Sequence, residues 1–162
     1  MREIMAFERP DGRVGLRNHV VVISMVSCSN TVVNRIAQAT GAIPITHEHG
    51  CVEFDEDHRR TKLALVSAGT SPNVYGVLLV GLGCEQTSLS DVKKAVESSG
   101  KPVEGILIQQ EGGSPEAEAR GIGIVRKLQA EAEAQERVPC SAGGLVVGVQ
   151  CGGSDWTTAV AG

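Results

Sequence analysis

Aromatic side chains make up only 2% of this 162-residue chain, with one Trp, one Tyr and two Phe. So few rings leave the interior to Val, Ile, Leu and Ala, which favours helices packed on a sheet over a sandwich of sheets. Positive charge is scarce too. Fifteen Lys and Arg stand against nineteen Asp and Glu, a formal charge of −4, so nucleic-acid binding, which calls for a clustered basic face, is not expected. Long apolar runs are lacking: Val20 to Val26 and Tyr75 to Leu82 fall far short of the roughly 20 residues that span a bilayer. Arg2, Glu3 and Glu8 break up the start, where a signal peptide would carry its apolar core. The expectation is a cytoplasmic protein with no membrane association. Five cysteines are an odd number, and without a secretory signal they read as thiols, catalytic groups or metal ligands, not as a disulfide framework.

What is present is an alternation of strands and helices. The opening FERPDGRVGLRNH has a turn at Pro10-Asp11-Gly12 between two short stretches and predicts a hairpin arm. NHVVVISMV then reads as a strand covered on both faces. A helix from about Thr31 to Ala39 follows, capped by Ser29 or Asn30. Further strands are expected at Ala42 to Thr46, Tyr75 to Val80, Val103 to Ile108 and Leu145 to Val149. The intervening helices run from about Asp55 to Ser67, Leu89 to Ser98, and Ser114 to Arg137. Parallel neighbours need crossover helices, so the expected architecture is α/β, three-layered α/β/α. Its mostly parallel five-stranded sheet is Rossmann-like or flavodoxin-like, with the hairpin arm before it. Residues 1–162 read as a single domain, cut from a longer protein.

A parallel sheet gathers the loops that follow its strands on one edge, where ligands of open α/β sheets bind. Those loops are Ser27-Cys28-Ser29-Asn30, His47-Glu48-His49-Gly50-Cys51, Gly81-Leu82-Gly83-Cys84-Glu85, Gln109-Gln110-Glu111-Gly112-Gly113 and Cys151-Gly152-Gly153-Ser154-Asp155. Four of the five cysteines are among them, while Cys140 reads as structural. Glycines beside helix starts favour anions such as carboxylate, which makes Asn30, Gly112, Gly113, Ser154 and Asp155 candidates for binding substrate. Arg13 and Arg17, if the arm folds over that edge, would clamp a carboxylate. Imidazole and thiolate crowd the His47 to Cys51 loop and suit zinc or iron, although no C-x-x-C spacing supports a closed zinc site.

RPDGRVGLRN, HEHGC, GLGCE, QQEGG and CGGSD, in this order, resemble the altronate and galactarate dehydratase family, which also includes sulfolactate sulfo-lyase. The resemblance runs from about Phe7 and covers a middle segment of that family. It implies a lyase that removes water from a hexonic or aldaric acid to give a 2-keto-3-deoxy acid. The implied cofactor is a divalent metal, Fe2+ or alternatively Mn2+, or an iron-sulfur cluster. The implied partners are the small-molecule sugar acid and the remaining domains of the same enzyme, with homo-oligomerisation left open. On that reading His47, His49 and Glu85 serve acid-base or ligand roles, and Cys51, Cys84 and Cys151 bind iron. The sequence departs from the family pattern at Val52 and Glu53, where small or amide residues are usual, which bears on substrate preference.

Overall fold

The structure is a computed structural model and describes residues 3–149, 152–153 and 155–157. Four parallel strands form the main sheet: β3 (His19–Ser24), β4 (Ile43–Ile45), β5 (Val74–Gly81) and β6 (Val103–Leu107), in the order β4-β3-β5-β6. Their side chains alternate between two cores. Val20, Val22, Leu78 and Val80 face α1 (Asn30–Thr40) and α5 (Ser114–Glu133); Val21, Ile23, Val77 and Leu79 face α2 (Asp55–Thr70) and α3 (Leu89–Glu97). Burial on both faces explains why these strands read as continuous β-branched runs. The three-layer α/β/α fold is the one expected from the sequence.

The strand count differs. Leu145 to Val149 was expected to be a fifth parallel strand, but among these residues the one bridge to a strand pairs Leu145 with Val14. Val146, Val147 and Val149 are exposed, because no described helix covers them and burial gives them no place in the sheet. After α5 the chain instead forms β7 (Val138–Ser141), antiparallel to β1 (Glu3–Glu8). β1 also pairs with β2 (Val14–Gly15), so the expected hairpin arm becomes part of a second, three-stranded sheet ordered β2-β1-β7. Cys140 is buried there against Ala6 and Val14, its thiol directed to the Ala6 carbonyl, in keeping with a structural role.

The helix caps were also misread in detail. Ser29 is the N-cap residue of α1 as expected, but its side chain makes no capping bond, and its buried hydroxyl bonds Ser24 Oγ and the carbonyls of Val26 and Val80. Gly113, not Ser114, is the N-cap of α5, and that helix ends at Glu133 rather than near Arg137.

Candidate active site

α1 leaves β3 on one face of the sheet and α3 leaves β5 on the other, so the chain direction reverses between the carboxyl ends of these two neighbouring strands. That reversal opens a crevice. A single 3-10 turn, Ser27–Ser29, forms one wall and the Gly81 to Glu85 loop forms the other. The loop between β4 and α2 lies beside them, held by two backbone bonds: Ser27 N–H donates to His49 O, and Gln86 N–H donates to Gly50 O. Gln109 N–H donates to Leu82 O and ties in the loop after β6. Four of the five expected loops therefore meet at one edge.

Gly50 is what lets the chain pass so close. It has φ 107°, and a Cβ there would lie 2.8 Å from Val26 Cα. Beyond it the backbone is strained, because Val52 has φ 52° and Asp55 has φ 24°. Such outliers for non-glycine residues persist where the surroundings over-determine them, commonly at functional sites. The same loop turns its polarity inside out: Val52 and Phe54 are exposed, while the Glu53 side chain is 7% exposed. Glu53 Oε1 accepts from Thr61 Oγ1, and its Oε2 is buried with no hydrogen-bond partner. Glu53 was read only as a departure from the family pattern; its burial is tertiary information that no local sequence signal carries.

The two histidines expected as acid-base groups are placed differently. His47 Nδ1 accepts from His49 N–H, so Nε2 carries the proton and donates to Ser24 O at 2.9 Å. Both ring nitrogens are thus engaged in holding the loop, and Asn30 Nδ2 adds a bond to the His47 carbonyl. The His49 side chain is 69% exposed, stacked on His47 with ring centroids 6.1 Å apart, and its Nδ1 lies 4.0 Å from Glu53 Oε1. It borders a cleft of about 480 Å³ shared with Cys51 and Glu53. Glu85 folds back on its own loop, and Oε2 accepts from the N–H groups of Leu82 and Gly83.

Three thiols come from three different loops. Cys28, Cys51 and Cys84 are all free and exposed. Desolvation by neighbouring protein atoms, then the negative charges of Cys28, Cys84 and Glu85, push the pKa of the Cys51 thiol above its ordinary value. Among the described residues, however, no three His, Cys, Asp or Glu side chains are arranged to hold one metal ion. Thiolate and imidazole donors suit iron, but the described groups do not form the single-ion site that the resemblance implies.

The remaining candidates divide. Gly112 and Gly113, with φ 95° and 139°, make the turn between α4 (Ile108–Glu111) and α5 at this edge. Asn30 Oδ1 is buried there without a partner. Arg13 and Arg17 are at the other end of the sheet, because the arm folds under the amino ends of the strands. Arg13 holds Asp11 and the Thr70 carbonyl, and the Arg17 N–H donates to Asn73 Oδ1, just before β5. Asp155 is exposed and accepts from Thr157. Cys151 and Ser154 lie outside the described residues.

Residues 6–133 match the family model described as D-galactarate dehydratase/altronate hydrolase, second domain. The chain belongs to the galactarate dehydratase/altronate hydrolase family. Among characterised members of this dehydratase family, altronate dehydratase of Bacillus subtilis (strain 168) is 31% identical over 166 residues, covering 95% of this chain and 33% of that protein. The (2R)-sulfolactate sulfo-lyase subunit beta of Chromohalobacter salexigens is 33% identical over 161 residues, covering 97% and 40%. Altronate dehydratase of Escherichia coli (strain K12) is 29% identical over 166 residues, covering 95% and 33%. The chain thus spans between a third and two fifths of the length of these relatives. No solved structure matches it. No helix among the described residues is long and apolar enough to cross a membrane.

Proposed function

We propose that this chain supplies one wall of the active site of a sugar-acid dehydratase, which removes water from a hexonic or aldaric acid to give a 2-keto-3-deoxy acid. The observation that carries this reading is the convergence of three family motif loops, HEHGC, GLGCE and QQEGG, with the Ser27–Ser29 turn on the crevice between β3 and β5.

Elimination of a β-hydroxyl takes a proton from the carbon beside a carboxylate and returns one to the leaving oxygen. Of the three acid-base candidates, His49 is the one with an exposed ring facing a cleft, so it is assigned the proton transfer. His47 and Glu85 hold the loops on either side, the first through Ser24 O and the second through the Leu82 and Gly83 amides. The Asn30 side chain and the Gly112-Gly113 turn are assigned to binding the substrate's hydroxyl and carboxylate groups. A metal centre at this edge would supply Lewis-acid stabilisation of the charge that develops on the carboxylate. Cys151, a further candidate ligand, lies outside the described residues.

Anaerobic incubation of the intact protein with ferrous iron and a panel of hexonates and hexarates, followed by detection of 2-keto-3-deoxy acids, tests the proposal. Turnover of at least one panel member is expected. Inactivity on all of them, or sulfite release from sulfolactate in place of dehydration, would overturn the hydro-lyase reading. The identity to a sulfo-lyase subunit is why sulfolactate belongs in the panel.

A further inference from the structure

The substrate of the proposed reaction is an anion, yet the two arginines expected to hold it, Arg13 and Arg17, are at the amino end of the sheet. The carboxyl edge supplies another. Beside the end of β4, Ile45, Thr46, Arg60, Thr61 and Leu65 enclose a cleft of about 310 Å³ that His49 also borders. The cleft of about 480 Å³ shares His49, Arg60 and Thr61 with it. The two differ in charge, because Glu48, Glu53 and Asp57 line the larger and no acid lines the smaller. Arg60 is the one Arg or Lys that lines either. Its guanidinium is held from one side only: Glu56, one turn earlier on α2, accepts from Arg60 Nε at 3.0 Å and from Arg59 Nε and Nη2 at 2.7 and 2.8 Å. Those bonds, from Arg59 first, hold the Glu56 carboxyl down at about 2. Two guanidinium groups on one carboxylate leave a net positive charge, and both Nη groups of Arg60 have no hydrogen-bond partner among the described residues.

We propose that Arg60 binds a carboxylate of the substrate in the smaller cleft and makes the site selective for a hexarate over a hexonate. The inference rests on the dehydratase reading and narrows it from two substrate classes to one. Both kinds of acid carry a carboxylate beside the reacting carbon, which the Asn30 side chain and the Gly112-Gly113 turn are assigned to bind. Only a hexarate carries a second carboxylate at the far end of its six-carbon chain; a hexonate ends there in an uncharged hydroxymethyl group. That second carboxylate needs a cation. The larger cleft, with its three acids, repels it but accepts the protons of sugar hydroxyls. The smaller cleft offers it the free Nη groups of Arg60 as a two-pronged donor. Ile45 and Leu65 give that cleft apolar walls, which exclude water and strengthen the pair. His49 borders both clefts, so a chain whose hydroxyls occupy one and whose end occupies the other passes its ring. The Arg60 side chain is 70% exposed, so the preference should be about tenfold, the low end for a charge-assisted hydrogen bond.

The test is calorimetric titration of the intact protein, kept anaerobic with ferrous iron, with galactarate as the hexarate and altronate as the hexonate. The wild-type protein is expected to bind galactarate about tenfold more tightly. Arg60→Met should erase the difference by weakening galactarate about tenfold while altronate changes by less than about threefold. Arg60→Lys, which keeps the charge but loses the fork, should retain part of the preference. Lys62→Met removes a positive charge from the same helix, at a residue that pairs with Asp91 and lines neither cleft, and should leave both affinities unchanged. Circular dichroism should show all the variants folded, because Arg60 is exposed and Arg59 still holds Glu56 in its absence. Four results would overturn the proposal: no binding of galactarate by the folded wild-type protein, equal binding of the two acids, a preference undiminished in Arg60→Met, or the same loss in Lys62→Met. Affinity is read without turnover. A protein that binds galactarate through Arg60 but dehydrates no sugar acid keeps this inference and loses the functional reading; one that dehydrates both acids, with or without Arg60, does the reverse.

Discussion

The two histidines of HEHGC show how far a residue's surroundings divide its role from its neighbour's. His47 has both nitrogens committed, so His47→Ala leaves the buried Ser24 carbonyl unpaired and should destabilise by about 1–3 kcal/mol in denaturant titration. His49 is exposed, so His49→Ala should change stability by no more than about 0.5 kcal/mol. On the proposed function it should nonetheless lower kcat by roughly a hundredfold or more, the usual worth of a positioned proton-transfer group. Equal effects of the two substitutions on kcat would remove the distinction. Gly50 gives a sharper stability test. In Gly50→Ala the Cβ would meet the backbone of Met25 and Val26 at a φ that L-residues avoid, so the loop must shift, with a loss on the order of 2–3 kcal/mol. The sequence allowed the histidines, the thiols and the glycines to be picked out as types. It did not separate His47 from His49, because the Ser24 carbonyl that decides the matter is 23 residues away in the chain.

Among the elements, the main-sheet strands were the most legible, because a strand buried on both faces has to be a continuous apolar run. The caps were not. Ser29 was a plausible cap by local rules, but three oxygens at the chain reversal needed a donor or acceptor, and the hydroxyl turned inward. Leu145 to Val149 matched a strand in composition but lacked a covering layer. The junction of α2 and β5 carries a consequence for pH. Lys101 is buried, and its ammonium donates to the carbonyls of Ser71 and Val74. Burial, then the nearby positive charges of Arg9 and Arg13, lower its pKa to about 8. The unfolded chain holds this proton up to about pH 10.4, so the folded state binds fewer protons between these values and stability rises with pH there. The full contribution, at most about 3 kcal/mol, is present above pH 10.4 and lost as pH falls through 8. Denaturation of Lys101→Met at pH 7.5 and 10, relative to wild type, should show that slope removed; parallel pH dependence in the two proteins would show that the lysine is not responsible.

At the scale of the molecule the chain divides its work between the two ends of the sheet. The carboxyl edge gathers glycines, thiols and His49, while the amino edge is a cationic seam that joins the small sheet to the large one. Arg9 is the centre of that seam: it is buried, its Nε donates to Pro72 O at 2.8 Å, and its Nη2 donates to Arg17 O and Asn18 Oδ1. Gly15 is needed beside it, since a Cβ there would lie 2.1 Å from the Pro72 carbonyl oxygen. The motif RPDGRVGLRN was legible as an arm, but its arginines suggested a carboxylate clamp because the same residue type serves both purposes and only the direction of folding tells them apart. If the arm is structural, Arg9→Met should open β1, β2 and β7 without disturbing the crevice. Amide hydrogen exchange should then speed up in Glu3 to Gly15 and Val138 to Ser141, with β3 and β5 still protected. Equal loss of protection in β3 and β5 would mean that Arg9 holds the main sheet together as well, and that the seam is not confined to the arm.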